Sequence, residues 1–126
     1  PVSSGDLELR FEGTLAGPPR RSVEEMAGCL GWIYEGLKEG WHVLSISLDV
    51  PLFKTPRVYI REEPGRYVGR GVVPGGELTF EIRIEQRSGR YRWVFEGVQR
   101  GPINMLGRKF FEGLASRIVE RIMGCL

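Results

Sequence analysis

Apolar and polar positions alternate from the start of the chain. Leu7, Leu9 and Phe11 stand between Glu8, Arg10 and Glu12, a period of two that predicts a half-buried strand in "LELRFEGTL". "GPPRRS" breaks the pattern, and Ser22 with Glu25 then has the spacing of a capping box. Val23, Met26, Ala27, Leu30, Tyr34 and Leu37 follow at helical spacing. Gly28, Gly31 and Gly36 weaken such a helix, so one helix and two short helices bent at Gly31 both satisfy the pattern. From Trp41 the period returns to two, with His42, Leu44, Ile46, Leu48 and Val50 on one face of a strand that Pro51 ends.

Four further strand segments come next: "RVYIRE", "RYVGRGVV", "ELTFEIRIE" and "YRWVFEG". Short Gly/Pro turns join them, including "EPGR", the "PGG" that carries Pro74, and "RSGR". In the third, Leu78, Phe80, Ile82 and Ile84 face one way and Glu81 and Arg83 the other. The set reads as an antiparallel meander with one wet and one dry face. The last stretch has a different period. Pro102 suits a first helical turn. Ile103, Leu106, Phe110, Leu114, Ile118 and Ile122 form a stripe that Phe111, Ala115, Val119 and Met123 widen. A helix over 102–123 would be about 33 Å long, the span of a strand of eight to ten residues. It can therefore lie along the whole dry face. The expected fold is α+β: one domain over 1–126, a curved antiparallel sheet wrapped around a long C-terminal helix.

Composition changes this picture little. The 126 residues are 41% hydrophobic, enough for one core. Eighteen basic against sixteen acidic residues leave a net charge of +2, too mild to imply a nucleic-acid partner. Fifteen of the basic residues are Arg, and amides are scarce, a bias shared by thermophiles and GC-rich genomes. Cys29 and Cys125 lie far apart beside apolar neighbours, which favours two buried free thiols in a reducing compartment over a disulfide. "PVSSGDLELR" has neither an apolar core nor a basic lead, and charge-free stretches such as Met26 to Tyr34 are too short to span a bilayer. The expectation is a cytoplasmic protein without a transmembrane segment.

Candidate chemistry is sparse. One His, two distant Cys and no clustered carboxylates supply no metal set, and no cofactor is expected. The Gly-rich "GRYVGRGVVPGG" lacks a phosphate loop's context. Arg83, Arg87, Arg90 and Arg92 alternate with Glu81, Glu85 and Glu96 and read as a solvated face. Asp49, before Pro51, reads as a turn cap. His42 at the start of a strand has no Ser, Cys or carboxylate at motif spacing, which favours a hydrogen-bonded core or rim histidine over a general base. Tyr91, Trp93, Phe95, Phe80 and Phe110 should converge between sheet and last helix.

The element order resembles the helix-grip (TBP-like, START-like) fold. "GPINMLGRKFFEGLASRIVERIMGCL" is similar to the C-terminal helix of the G-type subunit family of carbon monoxide dehydrogenase, "FEGTLAGPP" to its opening strand and "SVEEMAGCLG" to its helical entry into the sheet. That family belongs to the START-like (SRPBCC, polyketide cyclase/lipid-transfer) superfamily, whose members enclose hydrophobic ligands between sheet and helix. The resemblance implies a cavity for a lipid- or quinone-like molecule, lined by Trp32, Leu44, Ile46, Phe80, Trp93 and Phe110, with His42 or Tyr59 near its mouth. It also implies an accessory role beside a redox enzyme, a molybdenum hydroxylase in that family. Two other classes stand against it. One is a START-like cyclase or hydrolase, which needs polar groups converging in the pocket. The other is an interaction module with no cavity.

Overall fold

A computed structural model describes residues 6–46, 56–73, 76–101 and 108–126. Strand β1 (Leu7–Leu15) leads to helix α1 (Val23–Leu30), then to β2 (Ile33–Lys38), β3 (Trp41–Ser45), β4 (Arg57–Glu63), β5 (Arg66–Val73), β6 (Gly76–Arg87) and β7 (Arg90–Arg100). Helix α2 (Arg108–Gly124) closes the chain. The strands form one antiparallel sheet in the order β1-β7-β6-β5-β4-β3-β2. From β2 to β7 each strand pairs with its neighbour in sequence, and β1 then lies against β7, the first strand beside the last.

Alternation sets the two faces. Ile82, Trp93, Phe95 and Leu9 are buried, with Leu78, Phe80 and Ile84 partly buried against the same cluster. Their neighbours point outward and pair with opposite charges. Arg92 bridges Glu12 and Glu85 at 3.7 and 3.1 Å, Arg83 reaches Glu96 at 2.7 Å, and Arg66 reaches Glu81 at 3.3 Å. Val94, fully buried, sits beneath this lattice in register with Glu12 and Arg83. Two left-handed residues in a row, Ser88 and Gly89, turn β6 into β7 with the twist a tight hairpin needs.

Helix α1 begins with the expected capping box. The Glu25 amide donates to the Ser22 hydroxyl and the Ser22 amide to the Glu25 carboxylate, both at 3.1 Å. Its buried stripe is Val23, Met26, Ala27 and Leu30. The helix stops there, because Gly31 takes φ 74° and caps the carbonyls of Ala27 and Gly28. Tyr34 and Leu37, expected on helical spacing, belong instead to the edge strand β2, paired with Leu44 and His42. A register irregularity between Tyr34 and Gly36 puts Tyr34 and Leu37, three residues apart as on a helix, on one face of the strand, and only the left-handed glycine decides between the two readings. Leu48, Asp49, Val50, Pro51, Pro74 and the first turns expected for the last helix, with Pro102, Ile103 and Leu106, lie outside the described residues.

The expectation of free thiols is overturned. Cys29 and Cys125 form a disulfide with Cα atoms 5.8 Å apart, joining the last turn of α1 to the end of α2 across 96 residues. The fold brings these ends together because Val119, Ile122 and Met123 bury themselves in the same cluster as Met26 and Leu30. Arg121 donates to the Leu30 carbonyl at 3.3 Å, and the Arg20 amide to the Leu126 carbonyl at 2.9 Å. No helix among the described residues is long and apolar enough to cross a membrane.

Candidate functional site

The sheet is hollowed where small residues meet rings. At Gly69 a Cβ would overlap the Phe80 ring, and at Gly13 one would overlap the Trp93 indole. These glycines let the aromatic rings lie flat on the strands. Phe80 stacks on Phe95 with centroids 5.5 Å apart, and Phe95 on Phe11 at 5.7 Å. Rings lying flat leave space above them, under α2.

That space is an apolar cavity of about 130 Å³. Its floor is Leu9, Val58, Gly71, Leu78, Phe80 and Phe95 from the sheet. Its roof is the inner side of α2, from Phe111 through Leu114, Ala115 and Ile118 to Val119 and Ile122. Trp32, Ile46 and Pro56 close one side, with Arg57 at the edge, where its guanidinium lies 3.3 Å from Glu35. Two of the wall residues are buried and polar. Gln99, at 9% exposure, donates its amide hydrogens to the carbonyls of Glu77 and Arg100 at 3.2 and 2.9 Å. Trp32, at 6%, has an indole nitrogen that is buried with no hydrogen-bond partner.

The eight residues expected at the site divide. Trp32, Ile46 and Phe80 stand in the cavity wall. Leu44 is completely buried in the core and does not line the cavity. Trp93 is buried over Gly13, between β1 and the end of α2. Phe110 is 39% exposed and packs edge-on against Phe111, which takes the wall position in its place. The two residues sit about 100° apart on a helix, and α2 is rotated so that the second faces the sheet. Tyr59 alternates with Val58 and Ile60 and so points to the outer face, where Arg70 lies 5.2 Å over its ring.

His42 belongs to a different cluster. It shares a face with Leu44, and its Nδ1 is 2.7 Å from the Tyr34 hydroxyl while Nε2 is 3.4 Å from Glu62. The Tyr34 hydroxyl and the Glu62 carboxylate thus flank the two ring nitrogens of His42. Partial burial pushes the Tyr34 phenol above its ordinary value, and Glu24 and Glu62 add to it. Burial likewise raises Tyr67, again with a contribution from Glu62. Both phenols therefore remain donors at neutral pH. None of Tyr34, His42, Glu62 or Tyr67 lines the apolar cavity. Among the described residues no three His, Cys, Asp or Glu side chains are grouped to hold a metal ion.

Gln99 and the α2 roof beyond Phe110 were outside the residues expected at the site. Gln99 falls on the inward phase of the β7 alternation with Tyr91, Trp93 and Phe95, which is the signal that could have placed it.

Solved structures share the fold at low identity. The chain is similar to the Zhui aromatase/cyclase from Streptomyces sp. R1128, with a TM-score of 0.64 and 11% identity over 94% of this chain and 92% of that one. It is similar to a conserved protein from Geobacillus kaustophilus (TM-score 0.61, 16% identity, 94% and 93% covered) and to Ara h 8.0201 (0.56, 13%, 95% and 97%). No protein-family model matches the sequence. No curated protein matches it either. The fold is helix-grip, a curved seven-stranded sheet closed by the C-terminal helix.

Proposed function

We propose that this protein is a non-enzymatic binder of an apolar or amphipathic small molecule, held in the cavity between the sheet and α2. The observation that carries the reading is the cavity itself, about 130 Å³ with almost entirely hydrocarbon walls. An empty apolar cavity of roughly 150 Å³ takes up benzene or xenon, so this one matches a single ring. A quinone-like ring fits that volume; a long acyl chain would exceed it. The accessory role beside a molybdenum hydroxylase, implied by the resemblance to the carbon monoxide dehydrogenase family, belongs to this reading, as does a cytoplasmic location. Disulfides persist inside cells chiefly in hyperthermophiles, so that location goes together with a thermophilic source, with which the outer lattice of Arg–Glu pairs agrees.

A second reading, an enzyme like the aromatase/cyclase that shares the fold, has one specific observation behind it. His42 stands between Tyr34 and Glu62 at relay distances. The cluster lies off the cavity, so a bound apolar ring would not meet it, which is why the binder reading is preferred.

A thermal-shift screen tests the choice, using duroquinone, 1,4-naphthoquinone and decanoic acid. A ligand that binds only the folded state raises the melting temperature as ln(1 + [L]/Kd), and Trp32 emission should change with it. Quinone rings are expected to shift the melt more than the acid. If none of the three shifts it, the binder reading fails.

A further inference from the structure

The outer face of the sheet changes character along its width. Over β1, β7 and β6 it carries the lattice of Arg–Glu pairs, and at β3 and β4 aromatic rings take over. Val43 lies opposite Tyr59 there, while the adjacent pair, His42 and Ile60, faces inward. Trp41 and Arg61, one further step along, return to the outer side. Val43 is buried, so the outer face has a small apolar patch of its own. The Arg61 guanidinium sits 4.7 Å over the Trp41 ring, and Arg70, opposite Tyr59 in register, sits 5.2 Å over that ring. Such contacts act through the face of the ring and leave the in-plane N–H donors of the guanidinium unspent. Trp41, Tyr59 and Arg70 together line a cleft of about 120 Å³, close to the roughly 150 Å³ that accepts a benzene ring. The two arginines differ in how far they are committed. Arg61 is held by Glu63, at 3.1 Å from Nε and 2.9 Å from a terminal nitrogen. Arg70 makes no hydrogen bond among the described residues, and its ion contact there, with Glu77, is a long 3.7 Å. Lys38, in register beside Trp41, has no ion pair among the described residues. The cleft thus has aromatic walls and an uncommitted cation, which call for a flat ring and a negative charge.

We propose that this cleft is a second binding site, for a small aromatic carboxylate whose ring lies against Trp41 and Tyr59 and whose carboxylate pairs with Arg70. The planar guanidinium fork matches a carboxylate in two-point contact, and the rings select for a flat partner. The site lies on the opposite face of the sheet from the cavity and is independent of the cavity reading. The rival account is a ladder of rings and cations that only stiffens the sheet. On that account an aromatic acid is drawn to every exposed arginine alike.

Benzoate, benzyl alcohol and cyclohexanecarboxylate separate the two halves of this recognition. Each is titrated into the intact ¹⁵N-labelled protein at low salt, and the Trp41 indole resonance is assigned by its absence in Trp41→Phe. Benzoate should shift that resonance saturably. Benzyl alcohol, which has the ring without the charge, should bind about tenfold more weakly. Cyclohexanecarboxylate, which has the charge without the flat ring, should bind about threefold more weakly. Arg70→Gln keeps a long polar side chain and removes the charge, and it should weaken benzoate about tenfold. Arg83→Gln, in the lattice, should leave benzoate binding unchanged. Equal weakening by the two substitutions, or none by Arg70→Gln, would overturn the site in favour of the stiffening ladder. Benzoate that leaves Trp41 unmoved would overturn it as well, and a saturable shift at Trp32 in its place would put the acid in the cavity. Should Arg70→Gln fail to fold, the ranking of the three probes at Trp41 in the unmodified protein decides alone.

Discussion

Helix α2 has two halves that do different work. Its last turns are core: Val119, Ile122 and Met123 are buried, Arg121 ties to Leu30, and Cys125 is bonded to Cys29. Its first turns are a roof. Phe111, Leu114 and Ala115 are only partly buried above the cavity, and Phe110 is exposed. One apolar stripe thus serves two ends, anchored at one and loosely filled at the other. The difference shows why a stripe this wide need not mean a solid core: the anchored half fixes where the helix lies, so the other half can stand off the sheet.

The comparison predicts unequal losses along the helix. Ile122→Ala should cost about 2 to 5 kcal/mol in a denaturant melt, as core truncations do. Breaking the disulfide with Cys125→Ser should cost about 2 to 4 kcal/mol, because the anchor depends on it; a melt unchanged by that substitution would show that packing alone holds the helix end. Phe110→Ala should cost less than about 0.5 kcal/mol, as exposed positions do. Equal losses for Ile122→Ala and Phe110→Ala would mean that both halves are core.

The smallest effect lies off α2 and separates packing from surface charge. The main-chain and side-chain hydrogen bonds with Ser22 hold the Glu25 carboxyl below its usual range, and a hydrogen bond from Arg66 does the same for Glu63, with Arg61 adding to it. A carboxyl lowered in the folded state contributes stability that is complete above its unfolded value, about 4.5, and is lost as pH falls through the folded value. The melting temperature should therefore hold from neutral pH to about 5 and decline below about 4.5. Glu25→Gln and Glu63→Gln should each flatten that decline, while Phe110→Ala should leave it unchanged. A decline of the same steepness in all three variants would remove these carboxyls from the account.

Much of this architecture was legible because period-two alternation survives burial of a single face. Strands β1, β4, β6 and β7 are written that way, and the Ser22–Glu25 box and the α2 stripe are as plain at helical spacing. Strand β2 was not, since a register irregularity between Tyr34 and Gly36 puts Tyr34 and Leu37, three residues apart as on a helix, on one face of the strand, and the sign of φ at Gly31 is invisible in a one-letter string. The site was less legible for a related reason. Sequence gives the width of the α2 stripe, but the rotation that exposes Phe110 and turns Phe111 inward depends on the curvature of the sheet. The resemblance put Tyr59 near the mouth, although its alternation with Val58 and Ile60 sends it to the outer face. The pairing of Cys29 with Cys125 is a consequence of how the two helix ends dock, which separation along the chain conceals.

The central claim is that the roof half of α2 encloses a site for one ring. Equilibrium titration with duroquinone tests it, comparing the unmodified protein with Ala115→Leu. The larger side chain projects from the roof into the cavity and need not disturb the anchored turns. One quinone should bind per unmodified chain, and none should bind the variant, whose unliganded melting temperature should be no lower. Equal binding by both proteins would place the ligand elsewhere and contradict the account.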